Sequence, residues 1–187
     1  MIVRSNDDGL NGLFLSSEQI NAIAVDGGNR KWIGTGSSGI FLINPTGTET
    51  IEHFTADNSP LLSDNILSIA IDHKTGEVFI GTDKGIISYL GTATEARSNY
   101  SDVYAFPNPV RPDFDGSVTI TGLMADSNIK ITDLNGNLIY QTKSAGGQTT
   151  WNGRSHNGRR VAAGIYLVLA STPQGAESVV TKIAVVQ

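Results

Sequence analysis

The sequence contains no cysteine, only 3 histidines and 6 prolines, and no long apolar run. Without cysteine there is no disulfide framework, no thiol nucleophile and no thiolate metal site; the compartment stays open, because exported proteins can also lack it. The longest apolar stretches, residues 40–43 and 165–170, fall far short of the roughly 20 residues needed to cross a bilayer as a helix. Met1 to Asp8 carry two acids and no apolar run of signal-peptide length, so no export address is visible there and one would have to lie upstream. Positive charge is also scarce: 13 Lys and Arg stand against 18 Asp and Glu over 187 residues, a net of −5. Residues 1–96 hold 5 basic against 12 acidic side chains and residues 97–187 hold 8 against 6, so an acidic half precedes a weakly basic one. Neither half has the basic footprint of a nucleic-acid binder.

What is present is glycine, 21 residues of it, with 39% hydrophobic residues in short runs. Such a composition excludes disorder and coiled coil and indicates an all-β chain, long enough for two units. The first half repeats itself. INAIAVDGGNRKWIGTGSSGIFLI from Ile20 aligns with ILSIAIDHKTGEVFIGTDKGIISYL from Ile66, at a period of about 46 residues. Trp32-Ile33-Gly34-Thr35 pairs with Phe79-Ile80-Gly81-Thr82, Asp26 with Asp72, and Gly39 with Gly85. Each copy reads as three strands joined by turns, and residues 50–54 supply a fourth. Segment 67–71 is apolar on both faces, the pattern of stacked blades. The expectation is a partial β-propeller over residues 1–96, about two four-stranded blades, with residues 1–17 the remnant of an earlier blade of a longer polypeptide. Trp32 and Phe79, equivalent in the repeat, are assigned to the blade core.

FTADNSPLLSDNILSIAID and KWIGTGSSGIF resemble the two-component-regulator propeller repeat over residues 20–90. Residues 91–102 read as a linker. Beyond it, alternating runs at 103–106, 117–121, 128–132, 137–142, 149–151, 165–170 and 179–186 predict a seven-stranded, immunoglobulin-like β-sandwich over 97–187. Asn135-Gly136 predicts a two-residue hairpin turn with both residues at positive φ.

Tyr104-Ala105-Phe106-Pro107-Asn108-Pro109, Ile131 to Gly136, Gly164 to Val168 and Thr181 to Val185 together resemble the C-terminal sorting domain of the Bacteroidetes type IX secretion system. WNGRSHNGRRVAAGIY also resembles the sandwich of the flagellar hook-capping family. Blades followed directly by a sorting-type sandwich resemble a surface component of that secretion system. The resemblance implies a non-enzymatic, exported protein of the cell surface, or of the periplasm. Its partners would be the sortase complex, the outer-membrane shuttle and anionic lipopolysaccharide. It also implies that Lys182, Ile183 and Val185 lie on the strand that serves as sorting signal. Two alternatives stay open: a periplasmic glycan-sensing propeller of a hybrid two-component system, and the C-terminal part of an exported hydrolase.

No catalytic constellation emerges from the residues. Residues 34–39 satisfy GxGxxG, but a strand follows where a nucleotide site needs a helix. No GxSxG elbow is present, and His53, His73 and His156 lack HExxH spacing. Asp133 to Asn137 alternates oxygens as a calcium loop does, with its glycine at the wrong position, and Asp113 and Asp115 read as a solvated turn. Asp26 and Asp72 recur once per blade and so are assigned to turns. No cofactor or metal is expected. The candidate binding residues are Trp151 and the arginines Arg154, Arg159 and Arg160 in the turn after it, which could grip a phosphate or carboxylate.

Overall fold

In the computed structural model, which describes Leu15, residues 17–172, Gly175 and residues 178–186, the chain divides between Gly91 and Thr92 into two compact units. The remnant expected over residues 1–17 falls almost wholly outside the described residues. In the first unit, β1 (Ile20–Val25), β2 (Lys31–Thr35), β3 (Ile40–Ile43) and β4 (Thr50–Phe54) form an antiparallel sheet in sequence order. A second sheet follows with β5 (Ile66–Asp72), β6 (Glu77–Thr82) and β7 (Gly85–Leu90). The repeat extends to its irregularities: each sheet has a register shift at the start of its first strand, at Ile20/Ala22 and at Ile66/Ser68. The first sheet has the expected four strands and the second has three. One period after β4 the chain is already part of the second unit, where Arg97 N–H donates to Leu123 O and Tyr100 Oη meets Ser127 Oγ at 2.7 Å.

The two sheets stack through Trp32, Ile40 and Leu42 on one side and Ile66, Val78 and Ile80 on the other, with Leu61 between. Trp32 lies 5.7 Å from the Tyr89 ring and 6.3 Å from that of Phe54. Gly34 is required here, because a Cβ on it would sit 2.5 Å from Ile66 Cγ2 of the neighbouring sheet. Trp32 is fully buried, but Phe79 is 41% exposed. Assignment of Phe79 to a blade core is therefore corrected: it lies on the face of β6 opposite Val78 and Ile80, and no sheet covers that face among the described residues.

Asp26 and Asp72 act in turns as expected. Asp26 Oδ1 accepts the N–H groups of Gly28 and Arg30, and its Oδ2 pairs with Arg30 Nε at 2.8 Å. Asp72 Oδ1 accepts Lys74 N–H, a bond that holds this carboxyl below the usual carboxylate range.

The second unit holds β8 (Tyr104–Phe106), β9 (Val118–Thr121), β10 (Asn128–Thr132), β11 (Leu138–Lys143), β12 (Gln148–Trp151), β13 (Gly164–Ser171) and β14 (Ser178–Val185). They form sheets in the orders β11-β10-β13-β14 and β12-β9-β8. Alternation decides the facing: Ile129, Ile131, Tyr166, Val168 and Ile183 from one sheet meet Ala105, Val118, Ile120 and Trp151 from the other. The chain is thus all-β, partial propeller followed by seven-stranded sandwich.

The β10–β11 turn departs from the two-residue form. Only Gly136 has positive φ, at 84°, and the loop closes through Gly136 N–H to Asp133 O and Asp133 N–H to Asn137 O. The Asp133 carboxylate accepts Asn135 N–H, Asn137 N–H and the Asn137 side-chain amide. These bonds, that from the Asn137 side chain foremost, depress its pKa and favour a longer turn with a bulge.

Candidate functional site

The terminal strand β14 is an edge strand, and an edge exposes unpaired N–H and C=O groups. Here the opening signature of the unit covers it. Asn108 Nδ2 donates to Lys182 O at 2.9 Å and Asn108 Oδ1 accepts Ala184 N–H at 3.0 Å. A primary amide carries one donor and one acceptor side by side, so Asn108 replaces a neighbouring peptide unit. The segment then continues as backbone: Val110 N–H donates to Ala184 O at 2.7 Å, and Val186 N–H donates to Val110 O at 2.9 Å. Pro107 and Pro109 lack an N–H, which suits a segment that pairs only at intervals. Asn108 is the bridging residue that the sequence did not reveal. It stood inside a recognised motif, but its partners lie 74 and 76 positions away and no local pattern points to them.

On β14, Ile183 is fully buried and Val185 is also in the core, whereas Lys182 projects from the outer face. The strand is therefore both sandwich core and accessible surface.

The arginine turn lies between β12 and β13. Ser155 N–H donates to Arg159 O and Gly158 N–H to Ser155 O, closing a loop with Gly158 at φ 77°. Arg154 Nη1 donates to Gly158 O within the turn, and Arg160 Nη2 reaches the carbonyls of Pro112 and Phe114. All three arginines are exposed, but two of them brace backbone. Trp151 does not join them. It is 1% exposed, its ring lies 5.6 Å from Tyr166, and its Nε1 donates to Arg154 O at 2.8 Å. Its assignment as a binding residue is corrected on this ground: an indole that closes the core has no face left for a ligand. Tyr166 donates its hydroxyl to Ala162 O, and burial, with the Asp133 charge behind it, pushes its pKa up. Among the described residues, no group of three or more His, Asp or Glu is placed to hold a metal ion.

Comparison with known proteins agrees with this geometry. Residues 104–186 match the secretion system C-terminal sorting domain family. The protein is thus a set of propeller blades joined to a sorting domain of that family. More particularly it is PorZ-like: over 100% of its length it is similar, at 35% identity and a TM-score of 0.65, to PorZ of Porphyromonas gingivalis, described as an essential surface component of the type IX secretion system. It spans 25% of that chain. Weaker structural similarity extends to dimeric latent PorU of P. gingivalis (23% identity, 59% of this chain and 12% of that one, TM-score 0.35). The extracellular domain of the hybrid two-component protein BT4673 of B. thetaiotaomicron is comparably distant (13% identity, 97% and 27%, TM-score 0.34). No curated protein matches.

Proposed function

We propose that this chain is part of a non-catalytic component of the type IX secretion system, exported to the cell surface, with the sandwich as its export and docking module. The observation that carries this reading is the joining of the two ends of the sorting domain, the Pro107-Asn108-Pro109 signature, on the edge of β14, so that the terminal strand is held in one presentation. In this role it assists the sortase complex and the outer-membrane shuttle and stands close to the anionic lipopolysaccharide on which cargo is placed. Lys182 is an exposed side chain of the recognised strand, with Ile183 and Val185 anchoring it from beneath.

Deletion of residues 181–187 from the full-length protein is expected to trap it in the periplasm, as read by protease shaving of whole cells. Because the deletion also removes Ile183 and Val185 from the core, Lys182→Glu is the sharper variant: it leaves the melt unchanged and should still reduce surface delivery several-fold. Normal delivery of both variants overturns the reading.

The arginine turn supplies a second, electrostatic contact, to an anionic glycan. Each exposed pair contributes only about 0.2–1 kcal/mol and is screened by salt. With heparin as probe, the Arg154→Ala, Arg159→Ala, Arg160→Ala triple variant should bind several-fold more weakly at low salt, with single variants nearly unaffected. Unchanged, salt-insensitive binding by the triple variant returns this turn to a purely structural role.

A further inference from the structure

Asparagine is followed directly by glycine at Asn11, Asn135, Asn152 and Asn157. In such a pair the backbone nitrogen of the glycine can attack the asparagine's own side-chain amide, because no Cβ stands in the way. The first pair lies outside the described residues. The other three present nearly the same surroundings. Each asparagine is exposed, Gly136, Gly153 and Gly158 have positive φ of 84°, 69° and 77°, and a Cβ on any of them would meet nothing within 4 Å. Solvent access and crowding therefore do not distinguish them.

Hydrogen bonding does. The attacking nitrogen must give up its proton, and a bonded N–H has first to leave its acceptor. Gly136 N–H donates to Asp133 O at 3.1 Å and Gly158 N–H donates to Ser155 O at 2.8 Å. Gly153 bonds through its carbonyl, which accepts Val161 N–H at 3.0 Å, and among the described residues its own N–H has no acceptor. The group under attack is also prepared. Asn152 Oδ1 accepts Arg154 N–H at 3.2 Å, and a donor on this oxygen stabilises the negative charge that develops there. Asn157 Oδ1 accepts Arg159 N–H at the same 3.2 Å, within the same arginine turn. Asn152-Gly153-Arg154 and Asn157-Gly158-Arg159 thus share residue types, exposure and a polarised amide, and they differ in whether the glycine N–H is engaged.

We propose that Asn152 is a site of spontaneous deamidation in the folded protein. Gly153 N loses its proton to water and forms a bond to Asn152 Cγ; the Cγ–Nδ2 bond breaks, and that nitrogen takes a proton from water and leaves as ammonia. Water then opens the cyclic imide. Cleavage of its Cγ–N bond leaves aspartate, and cleavage of its backbone C–N bond leaves isoaspartate, with one more carbon in the main chain. Either product sets a carboxylate at the entry to the arginine turn. Nothing in this chemistry depends on the turn binding a glycan.

Incubation of the full chain at neutral pH and body temperature, followed by peptide mapping with mass spectrometry, tests it. Each conversion replaces an NH2 group by OH and is read separately for each pair. Conversion at Asn152 is expected to exceed that at Asn135 and at Asn157 by about two- to tenfold, the factor that opening one hydrogen bond imposes on the slower sites. In concentrated urea, where those bonds are gone, Asn152 and Asn157 should convert at the same rate, since both stand in an Asn-Gly-Arg sequence. Conversion at Asn152 no faster than at Asn157 in the folded protein overturns the proposal. So does a preference for Asn152 that survives in urea, because local sequence and not the fold would then set it.

Discussion

Trp32→Ala is expected to destabilise the first unit by about 3–5 kcal/mol, whereas Phe79→Ala, at the same position of the repeat, should cost less than about 1 kcal/mol. The chemistry of the two changes is similar and the surroundings are not. Trp32 is wholly buried between two sheets, touches the rings of Phe54 and Tyr89, and donates its indole N–H to Asp26 Oδ2 at 3.3 Å. Truncation there removes a large transfer free energy, leaves a cavity that stacked sheets cannot close, and strands part of the Asp26 carboxylate's bonding. Phe79 has one wet face and loses mainly contacts with its own sheet, beside Ala70 and Ser88. The chain has two units, so a global melt would mix two transitions. Hydrogen exchange of the Val78 and Ile80 amides, both buried against the first sheet, reports on the first unit alone. Equal losses in the two variants would mean that the uncovered face of β6 is packed in solution.

Trp151→Ala is expected to cost the sandwich a similar 3–5 kcal/mol, while Trp151→Phe should cost only about 1–2 kcal/mol. The indole is fully enclosed and packs on Tyr166, so alanine opens a cavity in the core of this unit. Phenylalanine keeps most of the packing and loses one bond, Nε1–H to Arg154 O, which ties the arginine turn to the core. The Trp151→Phe variant therefore also separates two roles. If the indole is structural, heparin binding at a temperature where the variant is folded should stay within about twofold of the parent, since the loss is of a single buried hydrogen bond. A large loss of binding with an unchanged melt would restore Trp151 to the binding surface. Hydrogen exchange of the Ile131 and Val168 amides, residues of the sandwich core, reads the stability of this unit, and heparin affinity is measured on the same samples.

The strands and turns of this protein were legible because their signals are local. Alternation placed the strands of the sandwich to within a residue or two at each end, and the repeat paired Ile20 to Ile43 with Ile66 to Leu90 down to the bulges. Asp26 and Asp72 were legible as turn residues because an Asx bond spans two positions, a distance that sequence spacing encodes. The Asn135-Gly136 turn was misread in detail because the decisive acceptor, the Asp133 carboxylate, competes with the two-residue form through three bonds that the dipeptide does not announce.

By itself the sequence determined the all-β class, the two-unit division of composition and charge, the propeller repeat and the sorting motifs, since each rests on residue type and short-range period. Only the tertiary structure decided which faces are covered. Trp32 and Phe79 occupy one position in the repeat, and burial separates them because, among the described residues, one has a neighbouring sheet and the other has none. Trp151 became core and Asn108 a clip on β14 through contacts with residues far along the chain. Lys130, Lys143 and Lys182 share one face because three separate strands, each alternating with period two, were brought into register by pairing. Which of two faces meets a core, and which strands lie side by side, is a property of the packed sheets, set when apolar area is removed from water, and no local pattern carries it.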